Sequence, residues 1–97
     1  MRKADFPSFN RRYAIGFSLN GKGFIGLGSK STESIYKLHN LIDMWEYDPV
    51  TDSWSETASF PQEGRAGATV IVVNNKAYIG FGNGKNDLWE FDPKIFE

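Results

Sequence analysis

Few side chains in this sequence are suited to chemistry. The chain has no cysteine and a single histidine, His39, whereas a zinc site or a nucleophilic triad needs several such residues at fixed spacing. Acid–base chemistry needs only a few neighbouring groups, and the residues that could supply it are Arg11, Glu33, His39, Glu63 and Arg65. No pattern joins them into a catalytic constellation. From these residues we expect a protein that is not an enzyme and that needs no metal and no cofactor.

The elements that must position these side chains occur twice. Residues 43–49, Asp-Met-Trp-Glu-Tyr-Asp-Pro, return as residues 87–93, Asp-Leu-Trp-Glu-Phe-Asp-Pro, and the stretch 20–28 returns as 74–82. Positions up to residue 28 match the second copy at an offset of 54, and positions from residue 43 match it at an offset of 44. The offset changes because residues 29–42 form a 14-residue insertion where the second copy has four residues. A repeat of about fifty residues made of short aromatic and β-branched runs is typical of propeller blades.

Each copy predicts an antiparallel sheet of short strands. The first two strands of a copy flank Asn20-Gly21 or Asn74-Asn75, dipeptides that accept the positive φ of a tight hairpin turn. Asp-Pro closes the third strand, because proline has no N–H for the ladder. We expect an all-β fold of two four-stranded antiparallel blades, with almost no helix outside the insertion. The predicted strands cover residues 14–19, 22–28, 43–48, 53–60, 68–73, 76–82 and 87–92.

Several of these residues together resemble the kelch repeat. Each copy has an arginine ahead of its first strand, Arg11 or Arg65, and a Trp-Glu-aromatic-Asp-Pro run on its third; in the first copy Trp54 follows on the fourth. The kelch pattern commonly ends the second strand in two adjacent glycines, where this chain has Gly26-Leu-Gly28 and Gly80-Phe-Gly82. The resemblance covers nearly the whole chain and implies kelch-type blades. The copper oxidases of this kind use a cysteine-modified tyrosine, which a chain without cysteine cannot form.

The resemblance also implies a binding face, since kelch-like propellers gather two sets of loops on one side. We expect that face to carry the ligand-binding residues, which are Arg11, Tyr36, Lys37, His39, Asn40, Arg65, Asn83, Lys85 and Asn86. Arg11 and Arg65 recur in both copies, so ion pairs with Glu46 and Glu90 are the structural alternative for them. The insertion, residues 29–42, either binds a ligand or packs over its blade.

The repeat boundaries divide the chain into three parts. Residues 1–6 match the end of a fourth strand and are expected to complete a neighbouring blade. Residues 11–60 form the first blade, and residues 65–97 form a second blade that lacks its own outer strand. Kelch-like propellers usually have six or seven blades, so two blades cannot close a ring. We expect self-association into a homotrimer, with a homotetramer or a fragment of one longer propeller as the alternatives.

Composition narrows the possible partners. The chain has 97 residues and a net charge of −1, which gives no basic surface for nucleic acid, and it has no hydrophobic segment for a membrane. It would be cytoplasmic if it is the whole gene product. We expect a non-catalytic binding or assembly module that takes a protein or carbohydrate ligand through the loops of one face. The alternatives are a sugar-modifying enzyme resembling the kelch-type mutarotases, and a structural or engineered fragment with no ligand of its own.

Overall fold

The computed structural model describes residues 1–31 and 38–96, and their regular structure is entirely β. The strands are β1 (Ile15–Leu19), β2 (Lys22–Gly26), β3 (Ser29–Ser31), β4 (Leu38–Asn40), β5 (Met44–Asp48), β6 (Ser53–Glu56), β7 (Thr69–Val73), β8 (Lys76–Gly80), β9 (Leu88–Asp92) and β10 (Ile95–Phe96). Blade 1 is a four-stranded antiparallel sheet in the order β1-β2-β5-β6, blade 2 is a second one in the order β10-β9-β8-β7, and β3 and β4 form a separate pair. The predicted all-β fold of two four-stranded antiparallel blades is therefore confirmed.

The first hairpin of each blade turns where the sequence predicts. Asn20 and Gly21 both have positive φ, as do Asn74 and Asn75. Two such residues in succession give the turn whose twist matches that of the flanking strands. The turn then fixes the register, with Leu19 opposite Lys22 in blade 1.

The second strands end two residues earlier than predicted, at Gly26 and Gly80. The next residue has a left-handed backbone in both blades, with φ of 55° at Leu27, so the chain leaves the ladder there. The glycine that follows also has positive φ, 85° at Gly28, and a Cβ on it would lie 2.6 Å from the carbonyl oxygen of Arg12. Only glycine fits such a close approach between backbones.

The fourth strand of blade 1 is also shorter than the predicted 53–60. It ends at Glu56, and the chain then crosses to blade 2, where the amide of Ala58 donates to the carbonyl of Pro93 at 3.1 Å. The side chain of Phe60 is buried in the core and meets Trp89 edge-on, with ring centroids 6.0 Å apart. This crossing joins the two blades.

The hydrophobic core lies between the facing surfaces of the two blades. Phe17 and Phe24 of blade 1 are stacked with their centroids 5.2 Å apart, and both meet Phe91 of blade 2 edge-on, at 5.6 and 5.4 Å. Rings packed in this way contribute beyond the area they bury. The buried residues around them include Ile15, Leu19, Met44, Ala77 and Ile79.

Three parts of the chain differ from the expected arrangement. Blade 2, expected to have no outer strand of its own, has the two-residue strand β10 paired to β9. The insertion, the one part of the chain where a helix was expected, contains the antiparallel strands β3 and β4 at its two ends. Residues 1–6 form no strand and lie on blade 1, where the indole N–H of Trp54 donates to the carbonyl of Ala4 at 3.1 Å. Their contribution to a neighbouring blade stays a prediction.

Within residues 1–31 and 38–96 there is no helix of the length and apolar character that crossing a membrane requires.

Candidate functional site

An arginine–aspartate pair anchors the entry to blade 1. The guanidinium of Arg11 donates to both carboxylate oxygens of Asp43, at 2.7 and 2.8 Å, and also reaches the carbonyl of Leu27. The indole N–H of Trp45 and the hydroxyl of Ser8 donate to the same carboxylate, at 2.8 and 3.0 Å. Two-point pairing of this kind fixes geometry as well as charge. Arg11 therefore ties the entry segment both to Asp43, directly before β5, and to Leu27, directly after β2.

Blade 2 repeats this arrangement at the equivalent positions. Arg65 pairs with Asp87, and its Nη2 lies 2.9 Å from Asp87 Oδ2. Trp89 donates to the same carboxylate at 2.8 Å, and the guanidinium carbon of Arg65 lies 4.4 Å from the centre of the Phe60 ring. Arg65 is only 1% exposed.

Both aspartates are held in their ionised form. Burial raises the pKa of Asp43, but the hydrogen bonds from Arg11, Trp45 and Ser8, together with the arginine charge, outweigh it and lower the pKa to about 2. Hydrogen bonds from Arg65 and then Trp89 hold the pKa of Asp87 well below its usual range. The arginines therefore pair with Asp43 and Asp87, and the expectation that they pair with Glu46 and Glu90 is wrong.

A polar pocket lies beside the pair of blade 1. Its volume is about 560 Å³, and it is lined by Phe9, Asn10, Arg11, Arg12, Ser29 and Lys30. Backbone hydrogen bonds of 2.9 Å in both directions join Arg12 to Ser29, so the entry segment and strand β3 form one surface. The ammonium of Lys30 lies 3.5 Å from the centre of the Phe9 ring. We call this the cationic pocket.

The cations of this pocket differ in what already neutralises them. Arg11 is satisfied by Asp43. Arg12 and Lys30 are in no ion pair with any carboxylate of the described residues. Arg12 is exposed and Lys30 is half-buried. The pocket thus offers two positive groups and an aromatic ring to a ligand.

A second hollow shares Phe9 with the cationic pocket. It has a volume of about 370 Å³, and its lining includes Ser8, His39, Asn40 and Glu56. His39 lies directly opposite Lys30 in the β3–β4 hairpin, and paired residues in antiparallel strands project from the same side. The hydroxyl of Ser29 donates to the side-chain oxygen of Asn40 at 2.7 Å. The hairpin therefore brings His39 close to the cationic pocket.

The remaining predicted site residues do not join this group. Asn83, Lys85 and Asn86 lie between β8 and β9 and line neither cavity. The ammonium of Lys85 lies 2.6 Å from a carboxylate oxygen of Glu63, and the hydrogen bond and charge of that lysine lower the pKa of Glu63. Tyr36 and Lys37 were also predicted to bind, and these two lie outside the described residues.

Sequence reasoning missed Phe9, Arg12 and Lys30 as pocket residues. A signal was present for Arg12, since the second copy has Ala66 at the equivalent position, and residues that differ between blades are free to specify a ligand. Lys30 stands in the insertion, which has no counterpart in the second copy. In residues 1–31 and 38–96 no group of three or more histidine, aspartate or glutamate side chains is arranged to hold a metal ion.

The chain is similar to enzymes named N-acetylneuraminate epimerase. It is 33% identical to the one from Yersinia enterocolitica over 81 residues, which is 81% of this chain and 20% of that protein. It is likewise 33% identical over 85 residues to those from Shigella flexneri and Escherichia coli K12, covering 86% of this chain and 22% of each protein. The chain thus spans about a fifth of the length of the curated relatives it matches. No protein-family model matches the sequence.

These relatives correct one expectation from the sequence. The lack of a catalytic constellation led us to expect a protein that is not an enzyme, and that inference is contradicted by the relatives, which are named as enzymes. Two blades can hold only one or two polar residues of a site that several blades of a propeller share, so the lack of a catalytic constellation in one pair does not exclude an enzyme.

Proposed function

We propose that this chain supplies two blades of a kelch-type propeller enzyme that epimerises an acidic sugar. Two findings support the proposal: the similarity to N-acetylneuraminate epimerases over more than four-fifths of the chain, and the kelch-like residues on two antiparallel blades. The charges of the cationic pocket indicate the class of substrate.

The cationic pocket fits a carboxylated sugar better than a neutral one. Arg12 and Lys30 have no carboxylate partner among the described residues, and a charge-assisted hydrogen bond from either would bind a carboxylate strongly. Phe9 lines the pocket and is 52% exposed, so the part of its ring that Lys30 does not cover offers an apolar surface to a sugar. The observation that carries the proposal is this pair of cations, which form no ion pair within the described residues, beside an aromatic ring.

His39 is the residue we assign to proton transfer. Interconversion of sugar anomers removes a proton from the anomeric hydroxyl and delivers one to the ring oxygen, and an imidazole can serve in both directions near neutral pH. Among the other groups considered for acid–base chemistry, Arg11 and Arg65 are paired to aspartates and Glu63 is paired to Lys85, so these three are less suited. Glu33 lies outside the described residues. His39 is exposed on β4, next to the pocket.

The binding step is tested by calorimetric titration of the protein with N-acetylneuraminate. Arg12→Ala and Lys30→Ala should each weaken binding about tenfold or more, because a hydrogen bond to a charged group contributes about 1.5–3 kcal/mol. Lys94→Ala, which removes an exposed lysine in the β9–β10 turn, should leave the affinity unchanged.

The charge of the ligand supplies the second control. The methyl ester of N-acetylneuraminate keeps the sugar ring and removes the negative charge, so it should bind more weakly to the wild type. It should bind equally to wild type and to the doubly substituted Arg12→Ala, Lys30→Ala protein. Equal affinity of wild type for acid and ester would contradict an acidic substrate.

The catalytic step is tested by nuclear magnetic resonance, following the approach of freshly dissolved N-acetylneuraminate to its anomeric equilibrium. Wild type should accelerate the exchange, and His39→Gln should reduce that acceleration without changing the affinity measured by calorimetry. Unchanged acceleration in His39→Gln would show that another group transfers the proton.

A further inference from the structure

Each blade leaves one broad face uncovered in the single chain. The open face of blade 1 is formed by residues that alternate with its core residues: Gly16, Gly23, Ile25, Trp45 and Tyr47. The open face of blade 2 is formed by Ile71, Val73, Tyr78 and Leu88, and it lies on the opposite side of the blade pair. Ile25 is 36% exposed, Ile71 46% and Leu88 51%. Apolar residues grouped on a sheet face in this way mark an interaction surface.

The two open faces correspond, residue by residue, to the two faces that are already buried against each other. The repeat places Ile25 of the open face where Ile79 lies in blade 2, and Ile79 is fully buried against blade 1. It places Leu88 where Met44 lies in blade 1, and Met44 is also fully buried. Open face 1 therefore has the character of the buried face of blade 2, and open face 2 that of the buried face of blade 1.

Open face 1 also has a hollow that its buried counterpart lacks. Gly16 and Gly23 stand where blade 2 has Val70 and Ala77, and they leave an apolar hollow of about 390 Å³ bordered by Ile25, Tyr47 and Trp54. Lys3 and Ala4 of the same chain also line it. The hollow leaves room on open face 1 for a side chain of another copy.

We propose that copies of this chain associate head to tail, with open face 2 of one copy packed on open face 1 of the next, and close into a ring. The contact repeats the packing of blade 1 on blade 2 within the chain. Because the two faces are different surfaces, the interface is heterologous, and such an interface gives a ring where its rotation closes. This assembly does not depend on the proposed enzymatic activity.

Residues 1–6 are placed to take part in this contact. The ring of Phe6 lies against Trp45 and under Arg11, at 5.8 and 5.0 Å, as Phe60 lies against Trp89 and under Arg65. The segment that carries Phe60 is the crossing from the outer strand of blade 1 to blade 2. By the same relation, residues 1–6 run from blade 1 toward the outer edge of the preceding copy's blade 2, where β10 has only two residues.

The mass in solution is the first test, by light scattering on the 97-residue chain over a wide range of concentration. A chain of 11.0 kDa should give a closed trimer of about 33 kDa or a closed tetramer of about 44 kDa. The mass should rise from that of the monomer to this plateau and not grow beyond it with concentration. A folded monomer at every concentration would assign the open faces to blades elsewhere in a longer chain and overturn the proposal. An open-ended series of masses would overturn ring closure.

Two single substitutions test which faces meet. Ile25→Asp damages open face 1 only, and Leu88→Asp damages open face 2 only, so every contact in a pure sample of either variant contains one damaged face. Each variant alone should therefore be monomeric at about 11 kDa. Val50→Asp is the matched control, since Val50 is 92% exposed in the turn after β5, and it should assemble as wild type does.

Mixing the two variants gives the decisive outcome. The intact open face 2 of the Ile25→Asp protein can pack on the intact open face 1 of the Leu88→Asp protein, and no further copy can join. An equimolar mixture should therefore form a dimer of about 22 kDa, while far-ultraviolet circular dichroism shows the same β structure in each variant alone. A mixture that stays monomeric while both variants remain folded, or a single variant that keeps the wild-type mass, would overturn the head-to-tail arrangement.

Discussion

At the scale of single residues, the sequence identified the paired arginines and assigned them the wrong acids. Arg11 and Arg65 stand out because they recur at the same place in both copies. Alternation along a strand explains the error: Asp43 is two residues before Trp45 and shares its side, whereas Glu46 points to the other side, toward Lys22, whose ammonium is 3.9 Å away. Counting faces along the strand would have selected the aspartates.

The left-handed residues Leu27 and Phe81 allow a matched test of backbone strain. A non-glycine residue with positive φ costs about 1–2 kcal/mol, and the kelch pattern commonly has glycine at this part of the repeat. Phe81 is 40% exposed and Leu27 is fully buried. Phe81→Gly should therefore stay within about 1 kcal/mol of wild type, while Leu27→Gly should cost about 2–4 kcal/mol through its lost burial.

Chemical denaturation of both variants measures this difference directly. Equal losses for the two glycine variants would show that the backbone conformation, and not burial, controls stability at this position.

The carboxylate of Asp43 makes stability depend on acid. Its pKa in the folded chain, about 2, lies below the ordinary value of 3.8, so its contribution is complete above about pH 4 and is lost as the pH falls toward 2. Asp43→Asn leaves the Arg11 charge without a counter-ion and should cost about 3 kcal/mol at neutral pH. The gap between wild type and variant should narrow as the pH falls through this window, measured by urea unfolding at a series of pH values. A gap that is constant down to pH 2 would contradict the assigned titration.

At the scale of elements, hairpins with a strong turn signal were predicted and the weaker one was missed. The asparagine turns at 20–21 and 74–75 and the glycine-rich ends of the second strands carry local signals that fix them. The strands β3 (Ser29–Ser31) and β4 (Leu38–Asn40) could not be predicted in the usual way, because their residues do not alternate between apolar and polar. They are held instead by their neighbours, as the bridge between Arg12 and Ser29 shows.

The β3–β4 hairpin can be shortened to separate the fold from the pocket. Ser29 and Asn40 face each other in the ladder, so replacing residues 30–39 by Asn-Gly closes the gap with a two-residue turn. The hydrogen bonds of Ser29 to Arg12, and of the Leu41 amide to Gly28, are kept. The shortened protein should stay folded and bind N-acetylneuraminate about tenfold or more weakly, because Lys30 is removed. It should also no longer accelerate anomeric exchange, because His39 is removed.

Calorimetry and circular dichroism on the shortened protein check both halves of that expectation. Binding at wild-type affinity would place the ligand away from the cationic pocket, and unfolding would show that the insertion serves mainly to pack over its blade.

At the scale of the whole molecule, the repeat predicted two blades, but not the side on which each is covered. The two copies are alike in sequence, yet Ile79 is buried between the blades while Ile25 is 36% exposed on open face 1. A repeat defines equivalent positions, whereas burial depends on what lies beside each blade. The sequence therefore predicts a core of aromatic and β-branched residues between the blades. It does not predict which residue of an equivalent pair, such as Ile25 and Ile79, is buried there.

Alanine substitutions of Ile25 and Ile79 measure this difference in burial. Ile79→Ala removes a side chain from the buried contact between the blades and should cost about 2–5 kcal/mol. In a single chain Ile25→Ala should cost about 1 kcal/mol, because its side chain is partly in water already. When open face 1 is covered by another copy, Ile25 becomes equivalent to Ile79 and its substitution should cost as much. Unfolding of both variants below and above the concentration of assembly therefore measures the coverage of that face. A cost of Ile25→Ala that is small at every concentration, in a chain that does assemble, would mean that copies meet through some other surface.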